Sequence, residues 1–231
     1  MVLPRRPIFY GLCLVVGSLL FGVAGLMHPV LTGDGAAQLE TVAATAGWRA
    51  IHWSLLFGFP LMYAGLAGAT LRHTETPGST PARAAILLAG FAFAVWALNV
   101  LFMVGAGWHL ARAYTAADTG LAGTHAVFVY DMLHPAGLAA ERLATFTLGL
   151  VAYVFGWAVL NGRVYPRWLG WAAFAVALVN VAVAVAFDEF SPNMFYAQGM
   201  FVTWLAATGV VMLVERRQGG GGGGGAGMPT A

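Results

Sequence analysis

The sequence predicts an all-α fold: a polytopic membrane protein with six transmembrane helices and an amphipathic or re-entrant segment on the outer face. Three observations lead there. Of 231 residues, 60% are hydrophobic and 9% are charged, against about 25% charged in a typical soluble domain. A water-soluble fold of this size has nowhere to hide so much apolar surface. Several apolar runs reach the ~20 residues, about 30 Å of helix, that cross a bilayer core. Finally, the arginines between those runs are distributed in the way that orients a membrane protein.

A charge-free run from Ile8 to Met27 follows Arg5 and Arg6. It is longer than the apolar region of a signal peptide, about 7 to 15 residues, and reads as an uncleaved first span. Ser18, Gly22 and Gly25 give it small residues at helix-packing spacing. The run ends at His28-Pro29. After a polar segment, Trp48-Arg49-Ala50-Ile51-His52-Trp53 forms an interfacial belt opening the second span, Ile51 to Leu71, where Pro60 predicts a kink. The third span, Ala84 to Ala106, contains Asn99 and runs out through Trp108-His109 to Arg112. The fourth is Leu143 to Leu160, which Pro135 would begin if the helix extended upstream. A tight connection, Asn161 to Arg167, leads to the fifth, Trp168 to Phe187, with Asn180 inside it. The sixth is Met194 to Val214. Asn99 and Asn180 are expected to form hydrogen bonds between helices. Residues 1–214 thus form one transmembrane domain. Residues 215–231, with glycine throughout Gly219 to Gly225, read as a disordered cytoplasmic tail.

With six spans and both termini inside, Arg5, Arg6, Arg72, Arg83, Arg163, Arg167, Arg216 and Arg217 lie on the inner face and Arg49, Arg112 and Arg142 on the outer. Eight against three is the bias that the positive-inside rule requires. If Leu121 to Leu138 crossed as a seventh helix, the count would become five against six. The stretch Thr124 to Pro135 is therefore expected to lie on or dip into the outer surface, with Phe128, Met132 and Pro135, beside Val129 and Leu133, supplying an apolar side. These features predict a cytoplasmic-membrane protein with both termini inside and the lipid bilayer as its partner. No basic cluster suits nucleic acid, and the lone Cys13 allows no disulfide framework or Cys metal centre.

This topology gathers polar residues on one face. His28, His52, His109 and His134 all fall near helix ends in the outer layer, and His125 joins them from the loop; seven of the acids, Asp34, Glu40, Asp118, Asp131, Glu141, Asp188 and Glu189, are also outside. Imidazoles converging from four helix ends suit zinc, copper or haem iron. In that reading His28, His52, His109 and His134 are candidate metal ligands, with His125 and Asp131, or Glu141, as outer partners or general base. The other reading is that the histidines cap helix ends beside interfacial tryptophans. No HExxH, nucleotide loop or hydrolase elbow is present.

Met27-His28-Pro29, the Trp48 to His52 start of the second span, and Tyr165-Pro166-Arg167-Trp168-Leu169-Gly170-Trp171 at the start of the fifth resemble a broad bacterial and archaeal group of small six-helix membrane proteins of unknown function. The resemblance covers about Ile8 to Val214 and implies the fold. It carries no substrate, cofactor or catalytic residue. Two functional classes therefore stand side by side. One is a non-catalytic accessory, sensor or small-molecule carrier; the other is a metal or haem protein using the outer histidines for redox or metal-assisted chemistry.

Overall fold

The computed structural model describes residues 6–116, 120–188 and 190–219. Arg5, Asp118, Glu189 and the tail beyond Gly219 lie outside the described residues, and with them most of the glycine run. The helices are α1 (Arg6–Met27), α2 (Gly35–Ala44), α3 (Trp48–Leu71), α4 (Ser79–Phe102), a π-helical turn (Met103–Gly107), α5 (Trp108–Ala116), α6 (Leu121–Gly162), α7 (Arg167–Ala186) and α8 (Asn193–Gly219). Six are long and apolar enough to cross a membrane: α1, α3, α4 continuing into α5, α6, α7 and α8. The chain is a multi-pass membrane protein.

Each span packs against its neighbours in sequence, and α8 closes on α1, so the six form an up-and-down ring. Phe59, Met62, Phe93, Trp96, Phe155, Phe201 and Leu205 fill its centre. α1 packs closely against α3. There a Cβ on Gly17 would lie 2.9 Å from the Gly58 carbonyl oxygen, and one on Gly65 would lie 2.7 Å from the backbone nitrogen of Leu14. Without a hydrophobic drive between helices in lipid, such backbone approach is what holds neighbouring spans together. The small-residue contact on α1 thus falls on Gly17 rather than on the predicted Gly22, which faces open space. Ser18 is buried, and Gly25 receives the ring of Phe195.

The two asparagines tie spans together as expected. Asn180 Nδ2 on α7 donates to the Ala197 carbonyl of α8 at 3.0 Å, and Asn99 Nδ2 on α4 donates to Glu141 on α6.

The larger difference from expectation concerns Thr124 to Pro135. It is not a separate surface or re-entrant segment but the first part of α6, a single helix of 42 residues with Pro135 inside it. At 1.5 Å per residue α6 is about 63 Å long, twice a bilayer core. It stays helical past Pro135 because that residue removes only one donor, leaving the Asp131 carbonyl without its helical partner. The α4–α5 arm is almost as long. Together with α2 these extensions form a second, smaller core of Leu39, Val42, Trp48, Met103, Ala111 and Tyr130 at one end of the ring. Nor is the predicted apolar side of the stretch its buried side. Phe128, Met132 and Leu133 are exposed, whereas Ala126, Tyr130 and His134, spaced four apart on one helical side, are buried.

Candidate functional site

Between this cap and the transmembrane ring lies a cavity of about 370 Å³. Its walls are largely apolar, with Phe21, Leu55, Trp96, Val100 and Met103 among them, but His28, His52, His134, Gln38, Asn99, Glu141 and Gln198 also face it. Leu26, Val30, Phe195 and Tyr196 line the cavity and are also exposed, so they form its rim between the end of α1 and the start of α8.

Two histidines meet at one wall. His28 follows the last turn of α1, where its backbone N–H reaches the Gly25 carbonyl at 3.1 Å, and its Nδ1 lies 2.7 Å from the Pro29 carbonyl oxygen. His52 sits one turn into α3, with Nδ1 2.8 Å from the Trp48 carbonyl oxygen. A carbonyl can only accept, so both Nδ1 atoms carry a proton, and in the neutral rings both Nε2 atoms present a lone pair. Those two Nε2 atoms are 3.3 Å apart. The Trp48 ring packs on both imidazoles, at 4.2 Å from His52 and 5.1 Å from His28 between centroids. Trp48 is held in turn by donation from Nε1 to the Met103 carbonyl in the π-helical turn, at 3.0 Å. Burial pulls the pKa of His28 below its ordinary value, against the opposing effect of its bond to the Pro29 carbonyl.

A second wall is built around Glu141. Its carboxylate accepts from Asn99 Nδ2 of α4 and, at 2.9 Å, from Gln198 Nε2 of α8. The same Gln198 nitrogen donates to Thr145 Oγ1 at 2.9 Å, and Thr145 Oγ1 donates to the Glu141 carbonyl at 3.0 Å. One acid thus links three spans, and it is the one ionisable carboxylate among the described residues lining the cavity. Near the cap, Gln38 accepts from the Tyr130 hydroxyl at 3.0 Å and donates to the Gly33 carbonyl at 3.0 Å. His134 is stacked among rings, 4.7 Å from Tyr130 and 6.1 Å from Phe102 between centroids.

Comparison with protein-family models, with curated proteins and with solved structures found no match to this chain.

Of the four candidate ligands, the structure brings His28 and His52 into contact and puts His134 on the same cavity. His109 and His125 are exposed and do not line it. Among the described residues no group of three or more His, Cys, Asp or Glu is placed to hold one ion. Asp131 has a different setting from the predicted partner role: its carboxylate lies where a side chain on Gly35 would be. That is the N-terminus of α2, where the helix dipole favours an anion. Nor do His28 and His52 grip a haem from both faces. Ligands on opposite sides of a metal need about 4 Å, twice the metal–imidazole distance of ~2.0 Å, and the two nitrogens are 3.3 Å apart.

Sequence reasoning missed Gln38 and Gln198. Gln198 carried a usable signal, a strongly polar side chain six residues into an otherwise apolar span. Gln38 carried none, because a glutamine in a polar connecting segment is ordinary.

Proposed function

We propose that the protein is a carrier or sensor that binds a small amphipathic molecule in this cavity, the head of the molecule donating hydrogen bonds or carrying positive charge. One observation carries the reading: the Nε2 atoms of His28 and His52 and the carboxylate of Glu141 give a largely apolar cavity hydrogen-bond acceptors on two of its walls. The volume of about 370 Å³ lies within the range of small-molecule sites. A rim between α1 and α8 suits a molecule arriving from the membrane boundary.

The test uses three probes of equal chain length: a medium-chain alkylamine, the alcohol and the carboxylic acid. The amine and alcohol should raise the thermal midpoint of the detergent-purified, chelator-stripped protein saturably, and the acid should not. Glu141→Gln should weaken amine binding by about tenfold or more, the worth of one charge-assisted hydrogen bond. Leu138→Trp, filling the cavity, should abolish binding of both the amine and the alcohol. Equal stabilisation by the three probes, indifferent to Leu138→Trp, would overturn the reading.

The arginine bias supports an orientation with the cavity on the outer face of a bacterial or archaeal cytoplasmic membrane and both termini inside. A cysteine placed at exposed Thr124 should then react with an impermeant thiol reagent on whole cells, and one at Ser79 should react only after lysis. Labelling of Ser79→Cys alone would invert the topology.

A further inference from the structure

From the His28–His52 geometry we infer that these two residues form a binding site for a divalent first-row transition-metal ion of the zinc class, open on the cavity side. Each imidazole is oriented by an Nδ1–H bond to a backbone carbonyl, Pro29 for His28 and Trp48 for His52. This is the outer-partner arrangement that fixes the tautomer and aims Nε2 at a metal. The two aimed nitrogens are 3.3 Å apart. Two imidazoles bound at 2.0–2.1 Å to one tetrahedral ion have nitrogens separated by about 3.3–3.4 Å, so the observed spacing is one edge of such a tetrahedron.

Two bare lone pairs facing each other repel, and a shared cation removes the repulsion. The Trp48 ring, anchored through Nε1 to Met103, covers one side of the pair. The protein supplies two ligands; the other two positions are left to water or to a donor on a molecule in the cavity. The inference does not depend on an amphiphile binding there, because metal binding is measured without one.

Purified protein, stripped with chelator and dialysed, is titrated with Zn²⁺ and, as a coloured substitute, Co²⁺. One ion per chain is expected, with a Co²⁺ visible spectrum of tetrahedral type. His28→Ala and His52→Ala should each weaken binding by at least about 100-fold, beyond the 10- to 100-fold typical of losing an outer partner. His109→Ala should bind as the wild type does. Size-exclusion chromatography establishes that the variants fold. Nitrogen NMR of histidine-labelled wild-type protein gives a readout that needs no variant: both Nε2 signals should move together on adding Zn²⁺, and both Nδ1–H protons should persist. No stoichiometric Zn²⁺ in the wild type, unchanged affinity in the folded double alanine variant, or Nε2 signals indifferent to Zn²⁺ would each overturn the site.

Discussion

Gly65→Val is expected to destabilise the bundle by more than about 3 kcal/mol, enough to prevent recovery of a monodisperse protein in mild detergent. The first carbon of any side chain at this position would lie 2.7 Å from the Leu14 nitrogen and 2.8 Å from the Tyr10 carbonyl oxygen. Both are backbone atoms of a helix, so no rotamer change relieves the clash, and α1 must move away from α3. Overpacking in cores costs about 1–3 kcal/mol when side chains can adjust, so this seam belongs at or above the upper end. Moving α1 would also part His28 from His52, since the two residues stand on either side of the same seam. Gly22→Ala is the matched control: nothing lies within 4 Å of its position, and it should leave the thermal midpoint within a degree or two, an order of effect expected where no contact changes. A Gly65→Val protein as stable as Gly22→Ala would show that α1 and α3 do not pack backbone to backbone.

The six spans were legible because a bilayer imposes a length and an apolarity that a run of residues either meets or does not. The ring order follows with little more, since short connections bring consecutive helices side by side. What the chain could not show is how far a helix continues after it leaves the lipid. His109 and His134 were placed at one height because both flank predicted spans, and His125 was assigned to a loop beside them. In the structure α4 continues through the π-helical turn into α5, and α6 begins at Leu121. His109 is seven residues beyond Phe102 and His125 nine before His134, about 10 and 14 Å farther along their helices. They leave the layer that His28 and His52 occupy. Those two remain because each lies within one turn of the end of its own span.

Rotation about the helix axis was the other blind spot. The apolar side of Thr124 to Pro135 was read from Phe128, Met132 and Pro135, yet Tyr130 and His134 are the buried members. Hydrophobic periodicity finds the buried side only when the outer side meets water. Next to lipid headgroups and a polar cavity, the sense can reverse, as it does here with Phe128 and Met132 outward. Glu141 illustrates the same limit. Its position just above the fourth span was visible in the sequence, but its amide partners come from α4 and α8, 42 and 57 residues away along the chain.

At the opposite end of the ring, His73 sets an acid limit on stability. It follows α3, has no exposed surface, and neither ring nitrogen has a hydrogen-bond partner among the described residues. It is packed against Phe155 and Tyr165, with centroids 5.7 and 5.6 Å away. Burial first, and the adjacent Arg72 charge second, lower its pKa from 6.5 to about 4. In the unfolded chain the imidazole takes up a proton near pH 6.5; in the folded protein it does so only near pH 4. Protons therefore favour unfolding across that window. The contribution of His73 to stability is fully present above about pH 6.5 and is lost progressively as the pH falls to about 4, amounting in the limit to ~3 kcal/mol. His73→Phe removes both the titration and the two unpaired nitrogens. Leaving a buried polar group unsatisfied costs about 1–3 kcal/mol, so the phenylalanine variant should be as stable as the wild type or more stable at pH 8. Its advantage should widen by ~3 kcal/mol on going to pH 4, which cancels the contributions of carboxylates and of the other histidines because both proteins share them. Unfolding of the two proteins in the same detergent, followed by tryptophan fluorescence at pH 8, 6 and 4, measures this difference. A constant gap across the three pH values would mean that His73 titrates in the folded protein as it does in the unfolded chain, through a solvent path or a polar partner beside Arg72.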